Sequence, residues 1–504
     1  MSNQSPSDDK MEPSALTYAL TRRRFLRGTV GASTLALTGS SQFLASAAPP
    51  MTPNTLQDAA RFASKRPALQ DRRFTSTAVE AAIQATKQKI ADPELAWLFE
   101  NCFPNTLDTT VFYKEHAGKP DTYVITGDID AMWLRDSTAQ VWPYLPLTAQ
   151  DAKLHKLIAG VIHRQARCIL LSPYANAFFD DPNEVSEWAS DYTLMQPGVH
   201  EHKWEIDSLC YPIRLAYGFW KQTGDTSVFD AQWEAAMDTV VQTFREQQRI
   251  DGDGPYYFFR GQPRPEPGSP AVYGSPVKPV GLICSRFRPS DDETTYQFLI
   301  PSNLFAVRAL RQLAEILDKV RHKPAKAAQA TAFANEVEAA LKQYAQQQHP
   351  TAGTIYAYEV DGLGHVSMMD DANVPSLLSL PYLGVCKTDD PVYQATRRFV
   401  WSKDNPWFFE GKYKGIGGPH IGKDMIWPMS LTMYGLTSTS PEEVAFCLQT
   451  LKATHAGTGF MHESFHINDP AHFTRSWFAW SNTLFGEFVL QTAQRFPQVL
   501  QTIK

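Results

Sequence analysis

The sequence predicts an all-α chain folded as an (α/α)6 barrel, inner helices wrapped by outer ones, with a small β-containing excursion. Two patterns predict it. Amphipathic segments, with apolar residues three and four apart, alternate with segments apolar nearly all round. Acids, Arg, His and Trp also collect just before, or at the start of, the all-apolar segments. A generic helical solenoid shares the first pattern but does not gather its polar residues at one end of its buried helices.

The amphipathic segments are 77–90, 151–171, 230–248, 323–347, 391–400 and 441–455, read as outer helices. The all-apolar ones are 133–145, 207–220, 301–317, 374–383, 425–435 and 477–492, read as inner helices because a helix apolar all round is a buried one. Pro212 and Pro428 sit early in their helices, where a first-turn proline is tolerated. Pro143 and Pro381 sit late, which predicts a kink or an early stop. The Gly/Pro-rich stretch 252–281 carries the strand-like run Tyr256-Tyr257-Phe258-Phe259-Arg260 and is read as a long inter-helix excursion with a small hairpin.

Ahead of the helices lies an export pattern. Thr21-Arg22-Arg23-Arg24-Phe25-Leu26-Arg27 is a twin-arginine run, followed by an uncharged stretch over 28–44, the small residues Ala45-Ser46-Ala47, and Pro49-Pro50. A disordered basic tail or a retained anchor explains only part of that order. The reading is a twin-arginine signal peptide over 1–47, a polar linker or arm over 48–73 and a single catalytic domain over 74–504, with a periplasmic or secreted product. The apolar stretch is too short and polar for a good membrane span, so no membrane partner is expected after cleavage.

The 504 residues are 43% hydrophobic and 20% charged, with a net charge of −6. That is a globular balance without the basic surplus a nucleic-acid partner needs. Twelve Trp, 19 Tyr and 29 Phe beside many carboxylates suit a sugar, whose C–H face packs on a ring while polar groups take its hydroxyls, although most single rings are core. The cysteines Cys102, Cys168, Cys210, Cys284, Cys386 and Cys447 form no CxxC pair, which argues for buried free thiols and against a Cys-rich zinc site. No cofactor or metal is expected.

The polar clusters are 127–137 (Gly127 to Ser137, with Trp133-Leu134-Arg135-Asp136), Trp204-Glu205-Ile206-Asp207-Ser208, 287–292, 369–373, Pro419-His420, 461–466 and Arg475-Ser476-Trp477. On one rim of a ring of helix pairs they line an acidic, aromatic cup. Glycoside hydrolysis needs that: one protonated carboxyl supplies the leaving-group proton and a second, ionised one activates water or attacks the sugar. Asp291-Asp292 suits the acid, because adjacent anions resist joint ionisation and raise one carboxyl. Glu463 suits the base. Each motif also has a plainer explanation. Asp-Asp is usually a solvated turn, Asp207 a helix cap and Arg135–Asp136 a structural pair. His462-Glu463-Ser464-Phe465-His466 matches zinc-protease spacing, but Pro470 follows and no third ligand motif is present.

At these motifs the sequence resembles glycoside hydrolase family 125, the exo-α-1,6-mannosidases, over about residues 91–492, with markers at 127–137, 207–212, 287–292, Tyr296, 299–303, 356–364, 369–378, 393–398 and 461–466. Related fungal proteins carry a meiotically up-regulated name. The resemblance implies a metal-independent, inverting enzyme on an (α/α)6 barrel, with Asp291 as general acid, Glu463 as general base and α-mannosides or mannose-terminated glycans as substrates. Inversion sets their carboxyls roughly 6.5–9.5 Å apart, and about 5 Å would mean retention. Arg135, Asp136, Asp207, Asn303 and His420 are expected to grip hydroxyls, with Trp133 and Trp427 as ring platforms. The alternatives are another inverting (α/α)6 enzyme such as a glucosidase or trehalase, a non-catalytic glycan-binding protein, and a calcium- or zinc-dependent mannosidase.

Overall fold

Most outer helices start on a side chain that suits the task. Ser76, Asp92, Asp151, Asp230, Asp390 and Ser440 each accept a bond from a backbone N–H in the first turn of the helix that follows. The residues ahead of the inner helices, Trp133, Glu205, Leu299, Trp427 and Phe478, make no such bond. The computed structural model describes residues 61–266 and 268–503. The signal expected over 1–47, and 48–60 of the arm, lie outside the described residues.

The outer set is Thr77–Lys87, Ala152–Leu171, Ala231–Glu246, Pro324–Tyr344, Pro391–Val400 and Pro441–Thr454. The inner set is Leu134–Val141, Ile206–Thr223, Ile300–Lys319, Pro428–Leu436 and Ala479–Arg495. Every residue of Leu134–Val141 and of Pro428–Leu436 is buried. Helices Pro93–Cys102, Asn105–Thr109 and Pro497–Thr502 were not expected.

The inner helices touch in order. Leu134–Val141 packs on Ile206–Thr223, and that on Ile300–Lys319; on its other side Leu134–Val141 packs on Ala479–Arg495, which meets Pro428–Leu436. Segment 374–383 is bonded to two of these helices, Ile206–Thr223 and Ala479–Arg495. Tyr211 Oη donates to the Val374 carbonyl at 2.9 Å, Arg214 Nη2 to the Tyr382 carbonyl at 3.2 Å, and Tyr382 Oη to Glu487 at 2.9 Å. Close approach demands glycine at one inner contact: a Cβ on Gly435 would stand 2.2 Å from the Phe488 ring.

Two expectations need correction. Segment 374–383 is a run of turns, not a helix. Its N–H groups are taken elsewhere: Leu377 and Leu378 donate to the Asp370 carboxylate at 2.8 and 3.0 Å, and Ser376 donates to Ser379 Oγ at 2.8 Å. Among the described residues, stretch 252–281 holds no hairpin: Phe259 bridges to Tyr192, and a short 3-10 turn covers Pro270–Tyr273. Prolines at 263, 265, 270, 276 and 279 remove the donors that a ladder needs. The strands lie elsewhere, as short antiparallel sheets. The Pro143 expectation holds: the helix ends at Val141 and continues as a 3-10 run over Trp142–Gln150.

Residues 61–73 are docked on the domain. Trp97 Nε1 donates to the Ala63 carbonyl at 2.7 Å, and Arg66, 4% exposed, pairs with Asp108 at 2.7 Å and Glu80 at 2.5 Å. All six cysteines are free; five are buried and Cys386 is half-buried. Among the described residues no helix is long and apolar enough to cross a membrane.

Candidate active site

Short strands hold the site. Met132–Trp133 pairs with Ala177–Phe178, and that with Val199–Glu201, so the start of the Leu134 helix meets Asn176 and the 201–207 turn. Met425–Ile426 pairs with Ser464–His466, and that with Phe473–Thr474, which sets Glu463 beside Arg475. Gly127 completes this seam. Its φ is +132°, and a Cβ there would lie 2.3 Å from the Trp477 carbonyl oxygen.

Asp291 sits on a tight turn in which its N–H donates to the Arg288 carbonyl at 2.9 Å. Arg288 is itself fixed by Glu359 at 2.6 Å. The Asp291 carboxylate accepts from Asn176 Nδ2 at 3.2 Å and lies 3.5 Å from Arg135 Nη2, while Lys203 Nζ donates to its backbone oxygen at 2.9 Å. Arg135 is the hub. Its Nη1 donates to Glu205 at 2.6 Å and Asp207 at 3.1 Å, and its Nε is 3.6 Å from Asp136.

Glu463, 6% exposed, lies 3.4 Å from Arg475 Nη1. Asp128 accepts from Arg475 Nη2 at 2.6 Å and so pins the guanidinium. Asp291 and Arg475 both hold left-handed backbone, with φ of 68° and 41°. Residues other than glycine adopt such angles where the surroundings fix them, and such residues cluster at functional sites.

The charges are unevenly set. Burial works to raise Asp291, but Lys203 and Arg135 outweigh it and hold the carboxyl well below the usual carboxylate range. Burial pushes Glu205 well up, against Arg135 and with help from Asp291 and Asp207. Burial also raises Asp207, and takes Asp136 to about 6, in both cases against Arg135. Burial opposes a charged His420, yet its bond to Asp292 and the fields of Asp291 and Glu463 raise it to about 9. His420 lies 3.3 Å from Asp292, and the 127–137 loop reaches both expected catalytic carboxyls, through Arg135 to Asp291 and through Asp128 and Arg475 to Glu463.

The expected site residues divide. Arg135, Asp136, Asp207, Asp291, Glu463 and His420 gather here. Asn303 does not. It is buried, its Nδ2 donates to the Ile283 and Leu299 carbonyls at 2.9 Å each, and its Oδ1 accepts from Ile283 N–H at 2.8 Å. Those bonds tie the Ile300–Lys319 helix to the 283 loop and leave nothing for a sugar. Trp133 and Trp427 are 6% and 3% exposed, so neither offers an open ring face as a platform; each retains an unpartnered indole N–H. The sequence argument expected the Asp291-Asp292 pair to raise one carboxyl; in the structure Lys203 and Arg135 lower Asp291 against burial, and burial raises Glu205. No helix forms at 462–466; His462 stacks on Phe473, and among the described residues no three His, Cys, Asp or Glu are placed to hold a metal.

Sequence reasoning passed over Glu205, Asn176, Lys203 and Arg475. Glu205 and Arg475 lay inside polar clusters already singled out, where their partners were the missing fact. Asn176 and Lys203 carried no signal of their own.

The comparisons agree with this geometry. The profile of a family described as metal-independent alpha-mannosidase, glycoside hydrolase family 125, matches residues 92–490. The meiotically up-regulated gene 157 protein of Schizosaccharomyces pombe is 42% identical over 461 residues, 88% of this chain and 90% of that protein. A Streptococcus pneumoniae structure, described among metal-independent alpha mannosidases and in a non-productive complex with alpha-1,6-mannobiose, is 42% identical with a TM-score of 0.80 and covers 84% of this chain and 99% of its own. The chain thus belongs to glycoside hydrolase family 125, the metal-independent alpha-mannosidases, and is a glycoside hydrolase.

Proposed function

We propose that this chain is an exo-α-1,6-mannosidase that inverts at the anomeric carbon on an (α/α)6 barrel. What supports the reading is one loop that reaches both groups, Arg135 lying 3.5 Å from Asp291 and Asp128 holding the Arg475 that lies 3.4 Å from Glu463, in a chain 42% identical to a protein whose structure holds α-1,6-mannobiose. A terminal α-mannosyl unit enters the cup. Asp291 protonates the glycosidic oxygen as the C–O bond breaks. Glu463 takes a proton from a water on the opposite face, and that water's oxygen becomes the new anomeric hydroxyl. Arg475, held by Asp128, aims Glu463. Asp136 and His420 supply polar contacts to mannose hydroxyls, and Asp207, fully buried, holds Arg135 at 3.1 Å. The twin-arginine pattern over 1–47 supports export to the periplasm or medium.

Proton NMR of an α-1,6-mannobiose digest tests this. Early accumulation of β-mannose is expected. First release of α-mannose would overturn inversion, and hydrolysis of a matched glucoside in place of the mannoside would overturn the substrate.

A further inference from the structure

We propose that Asn482 is a positioning residue for Glu463: from the first turn of an inner helix it clamps the chain two residues ahead of the base. The proposal rests on the reading of Glu463 as general base. Asn482 is the fourth residue of the Ala479–Arg495 helix and is fully buried. Its Oδ1 accepts from the Met461 N–H at 2.8 Å, and its Nδ2 donates to the Phe478 carbonyl at 3.0 Å. A backbone N–H only donates and a carbonyl only accepts, so these partners fix which way the amide points. One side chain thus ties the segment that leads into Glu463 to the start of the helix.

The same device sits on a second inner helix. Asn303 is the fourth residue of Ile300–Lys319; its Oδ1 accepts from the Ile283 N–H at 2.8 Å, and its Nδ2 donates to the carbonyl four residues back, Leu299, at 2.9 Å. A serine precedes each asparagine, Ser302 and Ser481, and each hydroxyl is buried without a partner. The two clamped segments run on to the two expected catalytic carboxyls, at different removes. Ile283 lies eight residues ahead of Asp291, and between them Ser285 N–H donates to the Gln297 carbonyl at 2.7 Å and Arg288 pairs with Glu359 at 2.6 Å. Met461 lies two residues ahead of Glu463, with only His462 between. On the far side, Glu463 N–H donates to the Thr474 carbonyl at 3.3 Å, and Ser464 Oγ lies 2.6 Å from Thr474 Oγ1. The base is therefore held from both directions along the chain, and Asn482 supplies the backbone hold on the near side. An inverting base has to keep a water in line with the anomeric carbon, and a misplacement of about 1 Å can cost about 100-fold in rate.

Kinetics of the full chain on α-1,6-mannobiose test this, at a temperature where every variant is folded. Asn482→Ala should lower kcat at least about 10-fold with KM within about threefold. Asn482→Asp keeps an acceptor for Met461 and should hold kcat within about threefold of the parent. Asn303→Ala loses the matching clamp and should also keep kcat within about threefold, which separates placement of the base from the loss of a buried amide. Because Asn482 acts through Glu463, adding Asn482→Ala to Glu463→Gln should slow that enzyme by less than about threefold. A smaller kcat loss in Asn482→Ala, an Asn482→Asp as slow as Asn482→Ala, equal losses in Asn482→Ala and Asn303→Ala, or an undiminished loss in the Glu463→Gln background overturns the clamp. If Asn482→Ala does not fold, Asn482→Gln decides, because it moves the amide by one methylene: a kcat fall of about 10-fold or more at unchanged KM upholds the proposal, and a smaller one overturns it. Turnover of mannobiose by Glu463→Gln at the parent rate overturns the base assignment instead, and is read before any Asn482 variant.

Discussion

Arg475 stands 3.4 Å from Glu463 and is held from behind by Asp128 at 2.6 Å. The base is therefore aimed by a cation that has its own anchor. Arg475→Met keeps the stem and removes the charge, and should lower kcat on α-1,6-mannobiose by about 10–100-fold. Glu463→Gln should cost more, about 100-fold or above. Because Arg475 acts through Glu463, the double variant should be no slower than Glu463→Gln; multiplicative losses in a steady-state cycle would assign Arg475 another role.

His420 is raised to about 9 from 6.5 by Asp292, Asp291 and Glu463, with burial opposing. A group whose folded value lies above its unfolded one stabilises the fold fully below the unfolded value and loses that contribution as pH rises through the folded value. The melting temperature of the parent should therefore exceed that of His420→Gln most below pH 6.5. The difference should close by about pH 9. A gap that stays constant across thermal melts from pH 5 to 10 would show that folding leaves the His420 pKa unshifted.

Asn303 makes three hydrogen bonds to backbone and none to the cup. Asn303→Ala leaves those buried groups unpaired and should cost about 2–4 kcal/mol in urea unfolding. KM for mannobiose should stay within twofold of the parent, roughly the scatter of such measurements. A stable variant with a sharply raised KM would restore Asn303 to the sugar site.

The Gly435–Phe488 contact fixes how closely two inner helices lie. Gly435→Ala places a methyl against the ring and should destabilise by about 1–3 kcal/mol. Adding Phe488→Leu should return part of that loss. Independent, additive losses in denaturant titrations would mean that the two residues do not share a packing surface.

Dialysis against EDTA should leave the rate on mannobiose unchanged, as the family description states metal independence. Lost turnover that calcium or zinc restores would place a metal in the cycle.

Much of this was legible because it is local. Asp151, Asp230 and Ser440 precede apolar-periodic runs, and each caps the helix it introduces. Segment 374–383 misled because its apolar residues suit a buried helix while its N–H groups go to Asp370, a partner supplied by tertiary structure. The run Tyr256–Arg260 has strand composition but only Tyr192 to bridge with. At the site, residue types and loops were readable and the pairings were not. The Asp291-Asp292 pair looked like the source of a raised carboxyl, whereas the folded chain sets Lys203 and Arg135 beside Asp291 to lower it, and burial raises Glu205. Asn303 looked polar and helix-initial, with no hint that the 283 loop would claim it.

The clasp around Arg66 decides how short this protein can be cut. A chain begun at residue 74, where the helices start in the sequence, would discard both Arg66 and Arg72 and leave Asp108, 2% exposed, as a sealed anion without a counter-ion. Orphaning one half of a buried pair typically forfeits about 3–5 kcal/mol. If the proposed signal is cleaved at Ala47, the cut falls ahead of that clasp, and shedding the address label would leave the domain buttoned.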